Sequence, residues 1–378
     1  MLEGVVMYRQ DWLEIDKSKF HYNLRKIKEY IGGEKGIIAV VKNNGYGHGG
    51  VELGKEAEKL GIKWLVVSSI EEGIKFRENG IRAKILVLDS IYSQQNLEKA
   101  VLNKLTVRIS GRREIEKIER LGKKLKRKVE VHLEIDTGMG RTGAKEEEAY
   151  SILDRIRNIK EIQMSGMFTH YANAEKDTFF SDKQYEIFER IAKYARKDLG
   201  LKFEQHTENT AELLKMKKKR EGMVRIGLGL YGLYPFKGAE RILKVKPILS
   251  WKARITFLKE VGAGFSISYG MTFVTKQKSV IATIPVGYGD GYNRKLSNKG
   301  EVLVRGKRCP IVGMITMDMT MIDVTKVKGI KEGEEVVLIG RQREEEIKVD
   351  ELANIQGTIN YEVTSAISLR IPRIMING

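Results

Sequence analysis

A lysine follows the apolar run Ile37-Ile38-Ala39-Val40-Val41, and a glycine-rich loop follows the lysine: Lys42-Asn43-Asn44-Gly45-Tyr46-Gly47-His48-Gly49-Gly50. Lysine seldom stands at the buried end of a strand unless its amine is used. Desolvation lowers the pKa of an ammonium and leaves a neutral amine, the nucleophile of Schiff-base chemistry. Spacing alone leaves a second reading open, a strand-end lysine that snorkels to solvent.

Four further segments hold residues able to do chemistry. They are Asp136-Thr137-Gly138-Met139-Gly140-Arg141-Thr142-Gly143, Phe168-Thr169-His170-Tyr171, His206-Thr207-Glu208-Asn209-Thr210-Ala211, and Met223 to Gly232, which contains Arg225. Each has a plainer reading. The first could be only a turn, Asn209-Thr210 only a helix N-cap, and His170 a hydrogen-bonded core histidine. Arg225, flanked by apolar residues, is harder to dismiss, because a buried guanidinium needs an acceptor or an anion.

These segments acquire a common setting from the elements around them. Strand-like runs at 37–42, 64–69, 84–89, 105–110, 130–136, 162–170, 203–209 and 223–228 alternate with amphipathic stretches such as Val51 to Leu60, Ile70 to Glu78, Leu97 to Asn103 and Ser181 to Leu199. Such alternation predicts parallel strands with crossover helices. Eight units in this length suit an α/β fold of the (β/α)8 TIM-like barrel type, with a doubly wound sheet as the alternative. No GxGxxG follows the first strand. In a barrel, the ends of the strands that carry Lys42, Asp136, His170, Thr210 and Arg225 form one face, where active sites gather.

Near Pro247 the pattern changes to short strand-like runs, Ile248 to Lys259, Val280 to Pro285, Glu301 to Val304 and Glu335 to Ile339, with one helical stretch at Val349 to Gln356. The expected organisation is an N-terminal segment 1–15 joining a C-terminal mostly-β domain (246–378), with the barrel at 16–245. The 378 residues carry a formal net charge of +18 and a single cysteine, Cys309, which excludes a disulfide within the chain. The basic runs Lys123 to Lys128 and Lys215 to Arg220 lack interleaved aromatics, and read as solvated helix ends rather than a nucleic-acid surface. No apolar run reaches the ~18 residues that span a bilayer, and no secretory leader is visible, so a cytoplasmic protein is expected.

With these residues in view, the chain resembles the bacterial alanine racemase family from about Glu14 to Arg373. The resemblance rests on Val41-Lys42-Asn43-Asn44-Gly45-Tyr46-Gly47-His48-Gly49, Ile135 to Gly143, Phe168-Thr169-His170, Ser268-Tyr269-Gly270, Pro285 to Gly291, Met317-Asp318 and Tyr361-Glu362, all in order. It implies a pyridoxal 5'-phosphate (PLP) enzyme that interconverts L- and D-alanine and supplies D-alanine for peptidoglycan. By the same resemblance Lys42 holds PLP through a Schiff base and serves as one base. Tyr269, from the partner subunit of a homodimer with shared active sites, is the other. Arg225 meets the pyridine nitrogen, and His170 joins Arg225 to Tyr269. Tyr46, Thr210, Gly227, Leu228 and Tyr361 hold the phosphate. Arg141 and the Met317 backbone bind the carboxylate of a small amino-acid substrate, next to Asp318, and Tyr288 lines the entrance. No metal, nucleic acid or membrane is implied.

The physical logic agrees with that assignment. Two bases on opposite faces of Cα suffice for racemisation. An arginine keeps the pyridine nitrogen unprotonated, which holds charge near Cα. A tyrosine base needs nearby positive charge, which His170 linked to Arg225 is expected to supply. The chain departs from the family pattern at Asn43, Gly45, Ile226 and Met314, and at Glu134, where a lysine is common. Glu134 is expected to position Arg141. A racemase acting on serine or lysine is the enzymatic alternative. A barrel-class decarboxylase and a non-enzymatic PLP carrier fit less well.

Overall fold

Ile-, Leu- and Val-rich tetrads build the inner sheet because parallel strands are covered on both faces. The computed structural model describes residues 9–32, 35–90, 93–215 and 220–377. In chain order the first strands are β1 (Asp11–Asp16), β2 (Ile37–Val40), β3 (Trp64–Val67), β4 (Lys84–Val87), β5 (Thr106–Ile109), β6 (Val129–Glu134), β7 (Ile162–Phe168), β8 (Glu204–His206) and β9 (Val224–Ile226). Strands β2 and β3 are buried at every residue. All pairings from β2 to β8 are parallel and sequential, and β9 returns to pair with β2. The seam between β8 and β9 closes through Met223 N–H to Gln205 O (2.8 Å) and Arg225 N–H to Glu208 O (2.9 Å). This is a nearly closed eight-stranded barrel.

Amphipathic helices follow the strands, and their starts are fixed by local chemistry. Ser69 caps Ile70–Glu78, Ser93 caps Gln94–Leu102, and Asp177 caps Thr178–Lys193, each side-chain oxygen accepting an otherwise unpaired N–H. The expected helix to Leu199 finishes as a π turn at Tyr194–Asp198. Of the basic run 215–220, residues 216–219 lie outside the described residues, as do 1–8 of the N-terminal segment.

The chain forms two compact units. The barrel unit comprises 21–45 and 50–246. The other unit comprises the chain up to Phe20, Tyr46–Gly49, and Pro247 onward. In this second unit β1 lies between β10 (Leu249–Arg254, antiparallel, Leu13 opposite Trp251) and Arg373–Ile376 (parallel, Leu13 opposite Arg373). The sheet continues from β10 through Glu335–Gln342 and Glu301–Val304 to Lys307–Pro310. In a second sheet Ser279–Ile284 lies between Phe257–Val261 and Thr320–Asp323.

Two expectations for this unit need correction. The run 248–259 is two strands in different sheets. The chain changes partners where Ile255 N–H bonds Glu334 O and Thr256 N–H bonds Thr283 O. A second helix, Asn360–Ser365, follows Val349–Gln356. It is six residues long and too short to show a helical period.

Candidate active site

Strand β2 stops at Val40, and Lys42 opens a turn of unusual hand. Asn43, Asn44, Gly45 and Tyr46 all have φ between 51° and 62°. Consecutive left-handed residues cost ~1–2 kcal/mol each outside glycine, and asparagine tolerates them best because its side chain bonds locally. Asn44 does so: its Oδ1 accepts from Gly50 N–H at 2.9 Å, and its own N–H donates to Glu72 Oε1 at 3.1 Å. Glu72 Oε2 accepts from Ser68 N–H at 2.8 Å, fixing the carboxylate. Beneath the turn Tyr231 donates its hydroxyl to Val40 O at 2.7 Å. Two asparagines therefore stand where a plain loop would not need them, and the bonds of Asn44 and Tyr231 fix the turn that Lys42 opens. The Lys42 pKa is lowered, first by burial and then by the positive charges of Arg141 and Arg225, with Glu72 partly opposing.

Arg225 lies in β9 and is buried, and its acceptors among the described residues are backbone carbonyls and histidine nitrogens rather than carboxylates. One terminal nitrogen donates to Thr169 O (2.7 Å), Thr207 O (3.1 Å) and His170 Nδ1 (3.2 Å). The other donates to His206 O and to His206 Nδ1 (2.9 Å). A guanidinium only donates, so both histidines accept at Nδ1 and carry their proton on Nε2. His206 Nε2–H then donates to His132 Nδ1 at 2.9 Å. Burial and the charge of Arg225 push His170 down to about 3, and His206 goes well below its ordinary value for the same reasons. Burial pushes His132 down to about 3. His170 is therefore neutral near pH 7, which corrects the expectation that it carries positive charge. The charge belongs to Arg225, which burial lowers only to about 10. His132 had no place among the expected site residues, and His206 stood in a segment singled out for chemistry but was given no role. The signal for His132 was the alternation Glu130-Val131-His132-Leu133-Glu134, polar at every second position of a barrel strand.

Arg141 stands on the loop after β6, and it is exposed in the isolated chain. Asp136 Oδ1 accepts from Gly138 N–H (3.0 Å) and Gly140 N–H (3.1 Å), and Ala144 N–H returns to Glu134 O (2.9 Å). Gly143 has φ +119°, and a Cβ there would fall 2.5 Å from Asp136 N, so this close return needs glycine. The Glu134 carboxylate binds Arg108 NH1 at 3.1 Å, and no bond to Arg141 is found among the described residues. Arg108 was not foreseen as its partner.

Thr210 is buried at the start of Thr210–Lys215, whose cap is Asn209: Oδ1 accepts from Glu212 N–H at 2.9 Å. The plain N-cap reading thus holds for Asn209, and Thr210 lies beside Gly229, where a Cβ would be 3.4 Å from its methyl. Among the described residues, the N–H groups of Gly227 and Leu228 donate to no protein acceptor. A desolvated amine, a guanidinium held by fixed carbonyls, and a buried hydroxyl near two free N–H groups fit an aldehyde cofactor with a ring nitrogen and a phosphate.

The remaining expected residues belong to the second unit. The Tyr46 ring meets Tyr361 edge-on, with centroids 5.8 Å apart, and burial raises the Tyr46 pKa to about 12. Gly47, where a Cβ would fall 2.0 Å from Thr364 O, accepts at its carbonyl from Arg373 Nε at 3.2 Å. Tyr269 is 72% exposed on a short turn. Ser268 enters that turn at φ 64° and donates its hydroxyl to Met314 O at 2.6 Å. The Met317 carbonyl accepts from Gly289 N–H (2.9 Å), and Thr316 O from Tyr288 N–H (3.0 Å). Asp318 binds Arg370 NH2 at 3.1 Å, and Arg370 Nε binds the buried Asp290 at 2.7 Å.

The barrel and a desolvated strand-end lysine near a buried arginine fit a PLP enzyme of the barrel class. The family models described as alanine racemase N-terminal domain and alanine racemase C-terminal domain match residues 15–235 and 248–375, so the chain belongs to the alanine racemase family, which is PLP-dependent. It is 40% identical to the alanine racemase of Halothermothrix orenii over 97% of this chain and 96% of that one. It is 39% identical to alanine racemase 2 of Bacillus subtilis over 98% and 96%. Among solved structures, the alanine racemase of Clostridium difficile 630 superposes with a TM-score of 0.92 at 34% identity, covering 98% of this chain and 97% of that one. The Bacillus anthracis enzyme with bound L-Ala-P gives 0.91 at 36%, covering 99% and 96%.

Proposed function

We propose that this chain racemises alanine with PLP, using Lys42 and Tyr269 as the two bases, in a homodimer in which Tyr269 comes from the partner subunit. The observation that carries the reading is the Lys42 amine, held by the left-handed turn and lowered in pKa beside Arg141 and Arg225. Bound PLP would supply the electron sink that makes the alanine Cα–H acidic. Lys42 would hold the cofactor and, from one face, move the Cα proton at Nζ. Tyr269 would move a proton at its hydroxyl from the other face. Arg225 would donate to the ring nitrogen, and its retained proton would leave that nitrogen unprotonated. His170, neutral and protonated on Nε2, would donate to the Tyr269 oxygen and so favour its phenolate. Thr210, Gly227, Leu228, Tyr46 and Tyr361 would hold the phosphate. Arg141 and the Met317 N–H would bind the substrate carboxylate, with Asp318 fixing the Met317 loop and Tyr288 at the entrance. D-alanine for peptidoglycan, made in the cytoplasm, is the corresponding role.

Support for a second copy comes from the exposure of apolar side chains in the unit that carries Tyr269: Met271, Val274, Met317 and Met319 are all more than 45% exposed. The test has two arms. Incubation with L-alanine, L-serine and L-lysine in deuterated water should give D-alanine carrying deuterium at Cα. Mixing Lys42→Ala and Tyr269→Ala subunits should restore activity, since one hybrid site is intact. No recovery after confirmed subunit exchange would reject the shared site, and no D-alanine from wild type would reject the reaction.

A further inference from the structure

Arg108 is a buried cation with no place in the chemistry above. It stands in β5 among Thr106, Val107 and Ile109, and is 2% exposed; Glu134, at the end of β6, is 4% exposed. NH1 binds Glu134 Oε2 at 3.1 Å and NH2 binds Ser90 Oγ after β4, while Nε has no partner among the described residues. One guanidinium therefore ties three consecutive strand ends at the barrel mouth. A buried ion pair contributes little net stability compared with apolar residues of similar volume, so stability alone is a weak account of it.

Glu134 has a second connection through its backbone. Its carbonyl accepts Ala144 N–H at 2.9 Å, closing the 136–143 loop that carries Arg141. Ile135 also bridges to Ala144. The base of the Arg141 loop is thus the residue whose side chain Arg108 clamps. The carboxylate also acts electrostatically on Arg225, as does Arg141. Fixing Glu134 fixes both the origin of the loop and the position of an anion among these cations.

We propose that Arg108 is a positioning residue for the substrate carboxylate: by clamping Glu134 at the foot of the 136–144 loop, it sets where Arg141 stands. This rests on the reading that Arg141 binds that carboxylate. The sequence signal is an arginine inside a barrel strand, Thr106-Val107-Arg108-Ile109.

The test separates positioning from mere stability by splitting KM from kcat. Arg108→Met holoenzyme, matched for PLP content, should show a KM for alanine raised about tenfold with kcat within threefold of wild type. Arg108→Lys should recover part of that KM. The double variant Arg108→Met/Glu134→Leu removes both charges and leaves no unpaired ion, so it keeps the assay available if Arg108→Met does not fold. Its KM should stay raised although its melting temperature returns towards wild type. A wild-type KM in the double variant overturns the proposal, as does a melting-temperature loss in Arg108→Met without a KM change. Arg141→Met provides the control. If it raises KM while the Arg108 variants do not, only the present proposal fails. If Arg141→Met leaves KM unchanged, the carboxylate reading itself fails.

Discussion

Three neutral histidines inside the barrel should make it labile to acid in the range where histidine titrates. His132 and His170 fall from 6.5 to about 3 on folding, and His206 shifts in the same direction. The unfolded chain binds protons near pH 6.5 that the folded barrel refuses until about 3. Stability from these groups is therefore complete above about pH 6.5 and is lost as pH falls through that window. Between pH 7 and pH 5 one such histidine costs ~2 kcal/mol, so His132 and His170 together cost ~4 kcal/mol. That is a large fraction of the ~5–15 kcal/mol by which folded domains are stable. Asp11 and Glu212, raised in pKa by burial, act in the opposite sense. A comparison with His132→Gln cancels their contribution, because the amide keeps a polar partner for His206 and cannot be protonated. Urea unfolding of both holoenzymes at pH 7, 6 and 5 should show His132→Gln losing ~2 kcal/mol less than wild type over that range. Equal pH dependence in the two proteins would refute the claim that His132 is held neutral.

Two further perturbations probe the geometry that holds Lys42 and closes the barrel. Asn44→Ala keeps a left-handed backbone but removes the bond to Gly50, and should lower stability by ~2 kcal/mol and speed PLP release; unchanged PLP retention on dialysis, with an unchanged melting temperature, would contradict the turn's role. Gly222→Ala places a Cβ 2.0 Å from Gln205 O at φ +90° on the β8–β9 seam, and should cost at least ~3 kcal/mol in unfolding free energy; a loss below ~1 kcal/mol would mean the seam is not rigid.

The fold was legible wherever pattern and function coincide locally. Eight apolar runs with helices between them mark the barrel because every parallel strand is covered on both faces. The change at Pro247 marks the second unit because half-covered strands alternate. What stayed hidden was set by partners distant in sequence. The run 248–259 looks continuous, yet its hydrogen-bond partner changes from Glu334 to Thr283 between adjacent residues. Tyr46–Gly49 sits within the barrel by sequence, but its glycine backbone packs on Thr364. Neither fact leaves a mark on local hydropathy.

The candidate site divides along the same line. Residue types could be read from sequence, and their charge states could not. Arg225 stands out because an arginine inside a barrel strand must find acceptors, but only the fold reveals that those acceptors are the carbonyls of Thr169, His206 and Thr207. Carbonyls, unlike a carboxylate, place no negative charge in direct contact with it. That charge and burial together discharge His170, and the charge also helps lower Lys42. Burial, reinforced by the Arg225 guanidinium, therefore sets the protonation of both groups. It leaves His170 able to donate a hydrogen bond but unable to carry charge, and it shifts Lys42 towards the neutral amine. A carboxylate partner for Arg225 would remove only the guanidinium's share of both shifts and leave the larger share that burial causes.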